Sequence, residues 1–167
     1  YDGLGDRYFR TNTEGTTRFI LDTNTNLTNV ITEADASNAI SAYYIYGLGL
    51  ISRINADGTT RYYHFDSRGS TVALTDQNQV MTDSYAYDPF GKLVNQSGTS
   101  DNPFTYIGRH GVVDEGDALL FVRARYYDKG VGRFVTKDLF QGEKAKGQSL
   151  NRFIYSVNNP INLVDVS

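Results

Sequence analysis

What most constrains this chain is a short punctuation mark that keeps returning. Tyr1-Asp2-Gly3, Leu21-Asp22, Tyr46-Gly47, Phe65-Asp66 and Tyr87-Asp88 recur about every 20 to 25 residues, most with another turn former close behind. At a strand end the ring or aliphatic group packs on the sheet, and the Asp carboxylate accepts backbone N–H groups of its own turn. Hairpins of one length repeated in this way stack into an extended sheet in which no single unit buries its face alone.

The segments between the marks read as strands: 17–21, 27–32, 39–46, 50–54, 59–65, 70–75 and 80–87. Asp57-Gly58 is the strongest hairpin signal and predicts a type I′ turn. Alternation along several strands is imperfect, which predicts a curved or two-sided sheet. The 13 tyrosines and 9 phenylalanines, with abundant Thr, Asn and Gly, suit extended backbone and tight turns. With 167 residues and no Cys, the chain can bury a core but has no disulfide or thiolate site. A net charge of −3 with no dominant Lys/Arg stripe argues against nucleic-acid binding. No run of 18 apolar residues is present, so no membrane span is expected. The start at Tyr1 and the ending Val164-Asp165-Val166-Ser167 suggest a piece of a longer polypeptide.

The second part reads differently. Residues 92–103 form a polar loop, 104–108 a short strand, and 111–117 a connection whose Asp114, Glu115 and Asp117 fit a solvated turn better than a calcium loop. Residues 119–127 alternate as one strand, which puts Arg123 and Arg125 on one face, about 7 Å apart. They either stack under aromatics in sheet salt bridges or hold carboxylates or a backbone carbonyl in a partly buried site. Asp128 to Gly132 turns the chain. Ser149 caps a short helix from Leu150 to Val157, ended by Asn158-Asn159-Pro160. His64 and His110 are the only histidines; no zinc-ligand spacing and no cofactor motif is present, so neither metal nor cofactor is expected.

These units resemble the YD repeats of bacterial Rhs proteins, of the C component of insecticidal Tc toxins, of wall-associated YD-repeat proteins and of teneurins. Residues 85–91, Y-A-Y-D-P-F-G, with Asp88, Pro89 and Gly91, match the recurrent Y-x-Y-D-P-F-G. Residues 121–128 and 132–134, carrying Arg123, Arg125, Tyr126, Tyr127, Asp128, Gly132 and Arg133, resemble the Rhs-associated core, with Lys129 where that pattern has proline. Residues 151–160, ending Asn158-Asn159-Pro160, resemble its N-x-Y-x-Y-x-x-N-N-P. The resemblance covers the chain, loosely over 1–60 and closely over 62–165.

The resemblance implies a mainly β fold. Residues 1–103 would be YD-repeat hairpins in a spiralling cocoon, and 104–167 the core segment with one short helix. In bacterial relatives the shell encloses a C-terminal toxic domain, and the core cuts the chain before that domain at two D-P-x-G motifs. By position those fall on Asp138 and Asp165, a candidate aspartyl-protease-like dyad, with Arg123, Arg125 and Arg133 as candidate support. Neither motif here has its proline, and the interval between the aspartates is lengthened in 142–148. Two readings follow. One is an encapsulating shell that cleaves itself, with upstream YD repeats and a C-terminal toxin as partners, secreted or on a bacterial surface. The other is a non-cleaving structural or adhesive β-module that meets partner chains or surface glycans. Nearby cations favour both carboxylates as ions and disfavour the shared proton a dyad needs.

Overall fold

A computed structural model describes residues 1, 6–13, 15–25, 27–138 and 150–166. The expected turn at Asp2-Gly3, the residues 139–148, the cap at Ser149 and the end at Ser167 lie outside the described residues.

Nine strands form one antiparallel meander, each paired with its sequence neighbour. They are β1 (Phe9–Asn12), β2 (Gly15–Asp22), β3 (Asn29–Ala34), β4 (Ile40–Gly47), β5 (Gly49–Asn55), β6 (Thr60–Phe65), β7 (Thr71–Thr75), β8 (Met81–Tyr87) and β9 (Leu93–Ser97). A second sheet of four follows: β10 (Val113–Asp114), β11 (Leu119–Val122), β12 (Arg125–Asp128) and β13 (Arg133–Phe134). The fold is mainly β, as expected, with YD-repeat-like hairpins.

Five loops of the meander are built alike. In 35–39, 55–59, 66–70, 76–80 and 88–92 the first residue's N–H donates to the fifth residue's carbonyl, and the fourth residue's N–H donates back to the first, at 2.9–3.1 Å. The fourth residue (Asn38, Gly58, Gly69, Gln79, Gly91) always has positive φ. In four of the five, the leading carboxylate also takes the N–H groups of the third and fifth residues. The exception leads with Asn55, and there Asp57 takes the N–H and hydroxyl of Thr59. One Asp side chain therefore satisfies two backbone donors that a tight loop would otherwise orphan. Asp66 and Asp88 do what the sequence expects of them. The Asp57-Gly58 hairpin forms, but only Gly58 is left-handed, so it is a type I turn closed by a left-handed residue and not type I′.

Register slips by one residue in six of the eight strand pairs, for example at His64/Phe65 and Ala86/Tyr87. Each slip bends and twists its strand, which accounts for the imperfect alternation. One face of the meander carries Ala42, Tyr44, Tyr63, Leu74 and Tyr85, packed on Phe104, Val113 and Phe121. A second cluster of Tyr106, Ile107, Val112, Leu120, Val122, Tyr127, Phe134 and Tyr155 lies behind. β11 is thus buried on both sides, Phe121 toward the meander and Leu120 and Val122 away from it.

Four expectations fail for identifiable reasons. Residues 119–127 are not one strand. Val122 pairs with Arg125, so Arg123-Ala124 is a two-residue hairpin loop with Arg123 at φ 48°; folding back lets Leu120, Val122 and Tyr127 share one core, and Arg123 and Arg125 share no face. The polar stretch 92–103 contains β9, an exposed edge strand that needs backbone pairing and not apolar side chains. Residues 104–108 form no strand: Ile107 turns left-handed at φ 47° and the chain curls into a 3₁₀ turn at Gly108–His110, burying Phe104, Tyr106 and Ile107. No α-helix forms within 150–157. Arg133 bridges Ile154, Phe153 and Arg152 accept backbone N–H groups of Phe134 and Asp138, and Ser156, Val157 and Asn158 then take left-handed φ of 46–57° in a single 3₁₀ turn. Strand pairing has claimed the backbone groups that a helix would use.

Candidate functional site

The two candidate aspartates meet at one cation. β12 begins with Arg125, whose guanidinium lies 3.5 Å over the ring of Phe134. Its Nη1 contacts Asp138 Oδ2 at 2.8 Å and its Nη2 contacts Asp165 Oδ1 at 3.3 Å. Arg125 is 7 % exposed, whereas Asp138 and Asp165 are 36 % and 23 % exposed. A nearly buried cation therefore sits behind two carboxylates that still reach solvent.

Three further contacts build the site. Arg123, at the tip of the β11–β12 hairpin, donates from Nη1 to the carbonyl of Val166 at 2.9 Å and from Nη2 to the carbonyl of His110. Burial lowers the Arg123 pKa, with Tyr46 and Asp6 opposing. Arg152 donates from Nε and Nη2 to the carbonyl of Asp138 and receives the Asp138 N–H on its own carbonyl. A cleft of about 410 Å³ opens here, lined by Asp138, Arg152, Ser156 and Leu163 to Val166. Two arginines thus hold the tail, one on a side chain and one on a backbone carbonyl. A guanidinium donor on a carbonyl polarises it.

Arg133 is placed apart from the Arg125 cation. It is exposed on β13, opposite Asp128, beside a separate cleft with Val131 and Phe153. The turn residues form the frame. Asp128 accepts the N–H groups of Gly130 and Val131, and Gly132, at φ 74°, packs against Phe90. Tyr127 donates to the carbonyl of Phe90, and Pro89 accepts from Tyr106 at 2.7 Å. Gly91, at φ 91°, faces the Tyr106 ring. Tyr126 packs on Phe121 and hydrogen-bonds Tyr1, whose hydroxyl is pushed up to about 12 by burial and by Tyr126. Asn158 and Asn159 carry the 3₁₀ turn, and Pro160, buried, accepts from Arg68.

Sequence reasoning did not single out Arg152, the Arg7–Glu115 pair at 2.7 Å, or Asp83, which is fully buried and holds the N–H and hydroxyl of Ser100. Asp83 is a lone acid in a strand written M-T-D-S-Y, and that break in the pattern is a signal that could have marked it. Among the described residues no cluster of three His, Asp or Glu side chains could hold a metal, and no helix is long and apolar enough to cross a membrane.

Residues 1–161 match the Teneurin YD-shell family. The chain is 30 % identical over 169 residues to the tRNA3(Ser)-specific nuclease WapA of Bacillus spizizenii and to the tRNA nuclease WapA of Bacillus subtilis, covering 99 % of this chain but 7 % of each relative. Teneurin-m of Drosophila melanogaster is 30 % identical over 106 residues, 61 % of this chain and 4 % of that protein. The fold recurs in the crystal structure of TcdB2-TccC3-Cdc42, with a TM-score of 0.69 and 17 % identity over 99 % of this chain and 8 % of that one. It recurs again in a mutant of the Photorhabdus luminescens Tc holotoxin pore, with a TM-score of 0.71 and 17 % identity over the same shares. Repeating hairpin, antiparallel meander and matched span agree, and the chain belongs to the teneurin YD-shell family.

Proposed function

We propose that this chain is the C-terminal end of a YD-repeat cocoon that encloses a toxin or effector domain, and that Asp138 and Asp165 cut the polypeptide just after the core. Its partners are then the upstream YD repeats of the same polypeptide and the cargo behind it, and the assembly is secreted or displayed on a bacterial surface. Similarity to the WapA tRNA nucleases of Bacillus supports a cytotoxic cargo. The observation that carries the cleavage reading is the gathering of Asp138, Asp165 and the Val166 carbonyl by Arg125 and Arg123.

In that reading one carboxylate takes a proton from water as the water oxygen attacks the carbonyl of the scissile peptide. The other, protonated, gives its proton to the departing amine. Arg125 stands between the two carboxylates, so one of them must leave it before the pair can share a proton.

The same ion triad favours a second reading, in which Arg125 staples the tail onto the core of a non-cleaving structural or adhesive module. Intact mass of the full-length parent, wild type beside Asp138→Asn and Asp165→Asn, separates the two. Two fragments meeting just after Ser167 in the wild type and one uncut chain in each variant establish cleavage. One uncut chain in all three removes it and leaves the staple.

A further inference from the structure

A small cavity lies between the two sheets, away from the Asp138 cleft. Phe19 of β2 and Val30 of β3 wall it on the meander side, and Val113 of β10 and Phe121 of β11 on the other. Two arginines, Arg7 and Arg123, complete the lining. The space is about 30 Å³, enough for one or two water-sized particles and too little for a peptide side chain.

Each arginine keeps one buried N–H with no partner among the described residues, Nη1 of Arg7 and Nε of Arg123. Their other nitrogens are held in place. Arg7, its side chain 5 % exposed, donates from Nη2 to Glu115 at 2.7 Å and lies 3.8 Å over the Phe121 ring. Arg123 donates from Nη1 to the carbonyl of Val166 at 2.9 Å and from Nη2 to the carbonyl of His110. Gly111 leaves room for that guanidinium, since a Cβ there would lie 2.9 Å from Nη2. The lining carries two cations against one carboxylate, Asp6, while Glu115 is shared by Arg7 and Arg10. Buried donors without acceptors are costly, and so is a buried charge that is not balanced. Burial lowers the Arg123 pKa against Tyr46 and Asp6, the direction expected where counter-charge falls short.

We propose that this cavity binds one small inorganic monoanion of halide size, which accepts from Arg7 Nη1 and Arg123 Nε. A halide only accepts, so it needs no acceptor of its own, whereas a water must place two protons as well. It also offsets the positive charge left over on the lining, in apolar surroundings that strengthen the attraction. Because Arg123 is the group that fastens the Val166 carbonyl, the anion holds in place the guanidinium on which the tail is docked. The inference stands apart from the cleavage reading, since residues up to Val166 stay in place whether or not the chain is cut behind them.

The test is to grow crystals of the intact polypeptide in sodium bromide and collect diffraction at the bromine absorption edge. We expect an anomalous peak inside the cavity, in contact with both Arg7 and Arg123. In solution, hydrogen–deuterium exchange of the same polypeptide is compared in sodium bromide and in sodium gluconate at equal ionic strength, gluconate being a monoanion too large to enter. Amides of 111–113 and 163–166 should be severalfold better protected in bromide, the gain should saturate with bromide concentration, and Arg123→Gln should abolish it. A cavity that holds only water, or protection that is the same in both salts, overturns the proposal. Both wild-type measurements decide even if the glutamine variant does not fold.

Discussion

The guanidinium of Arg125 holds the carboxylate of Asp138 at 2.8 Å from across the β12–β13 turn, and the same group reaches Asp165 near the end of the chain. Removing it takes their shared cation from two carboxylates and strips Phe134 of the cation above its ring. Arg125→Met should destabilise the fold by about 2–4 kcal/mol, below the cost of a fully buried pair because both aspartates reach solvent. Urea denaturation followed by near-UV signal from the tyrosines checks this; an unchanged midpoint would mean that the triad contributes nothing to stability.

Asp83 pins the loop that leads from the meander to the core. It is fully buried and accepts from the N–H of Ser100 at 2.9 Å, the hydroxyl of Ser100 at 2.6 Å and the hydroxyl of Thr82 at 2.7 Å. Burial pushes its pKa up, but these hydrogen bonds bring it on balance below the ordinary carboxylate value. A depressed folded value means the stabilisation is present above the unfolded pKa of about 3.9 and is lost as pH falls through the folded value. Asp83→Asn should cost about 1–3 kcal/mol at pH 7. In thermal melts from pH 7 down to about pH 2, the gap between wild type and variant should narrow below about pH 3.9, and parallel curves throughout would refute the assignment.

The hairpin loops were legible because their chemistry is local: an Asp that caps its own turn and a residue that accepts positive φ sit three positions apart, and both can be read from residue type. The hairpin at Arg123 was not, since Arg123-Ala124 carries neither Gly, Asn nor Asp and the flanking alternation suits one continuous strand equally well. The tail was hidden for a similar reason. Ser156 and Val157 take left-handed φ without being glycine, and the Asn-Asn-Pro after them reads as a helix stop. The convergence of Asp138 and Asp165 was suggested by family resemblance. Which arginine receives them depends on where β12 begins, and only the strand register fixes that.

Gly91 closes the loop of the Tyr87-Asp88 mark with φ 91°, and a Cβ there would lie 2.6 Å from the Tyr106 ring. Tyr106 is itself fully buried and donates to the carbonyl of Pro89 in the same loop, so the ring has nowhere to move. Gly91→Ala combines left-handed strain with overpacking and should cost about 2–4 kcal/mol. Gly58→Ala has the same φ strain and open space around it, and should cost about 1 kcal/mol. Equal losses in chemical denaturation would mean that the Tyr106 contact is not what makes Gly91 necessary.

Arg7 ties the first described segment to the core. Its guanidinium lies 3.8 Å over Phe121 and 5.2 Å from the Phe19 ring, and it contacts Glu115 at 2.7 Å with both side chains largely buried. Arg10 adds a second contact to Glu115 at 3.3 Å. Because Phe19 belongs to β2 and Phe121 to β11, one cation bridges the two sheets at the end of the meander farthest from Asp83. A double-mutant cycle on Arg7→Met and Glu115→Gln should give a coupling energy of about 1–2 kcal/mol. Arg7→Met alone should lose more than Glu115→Gln, since only the first also removes the cation from between two rings. Equal single losses with no coupling would leave the bridge as simple packing.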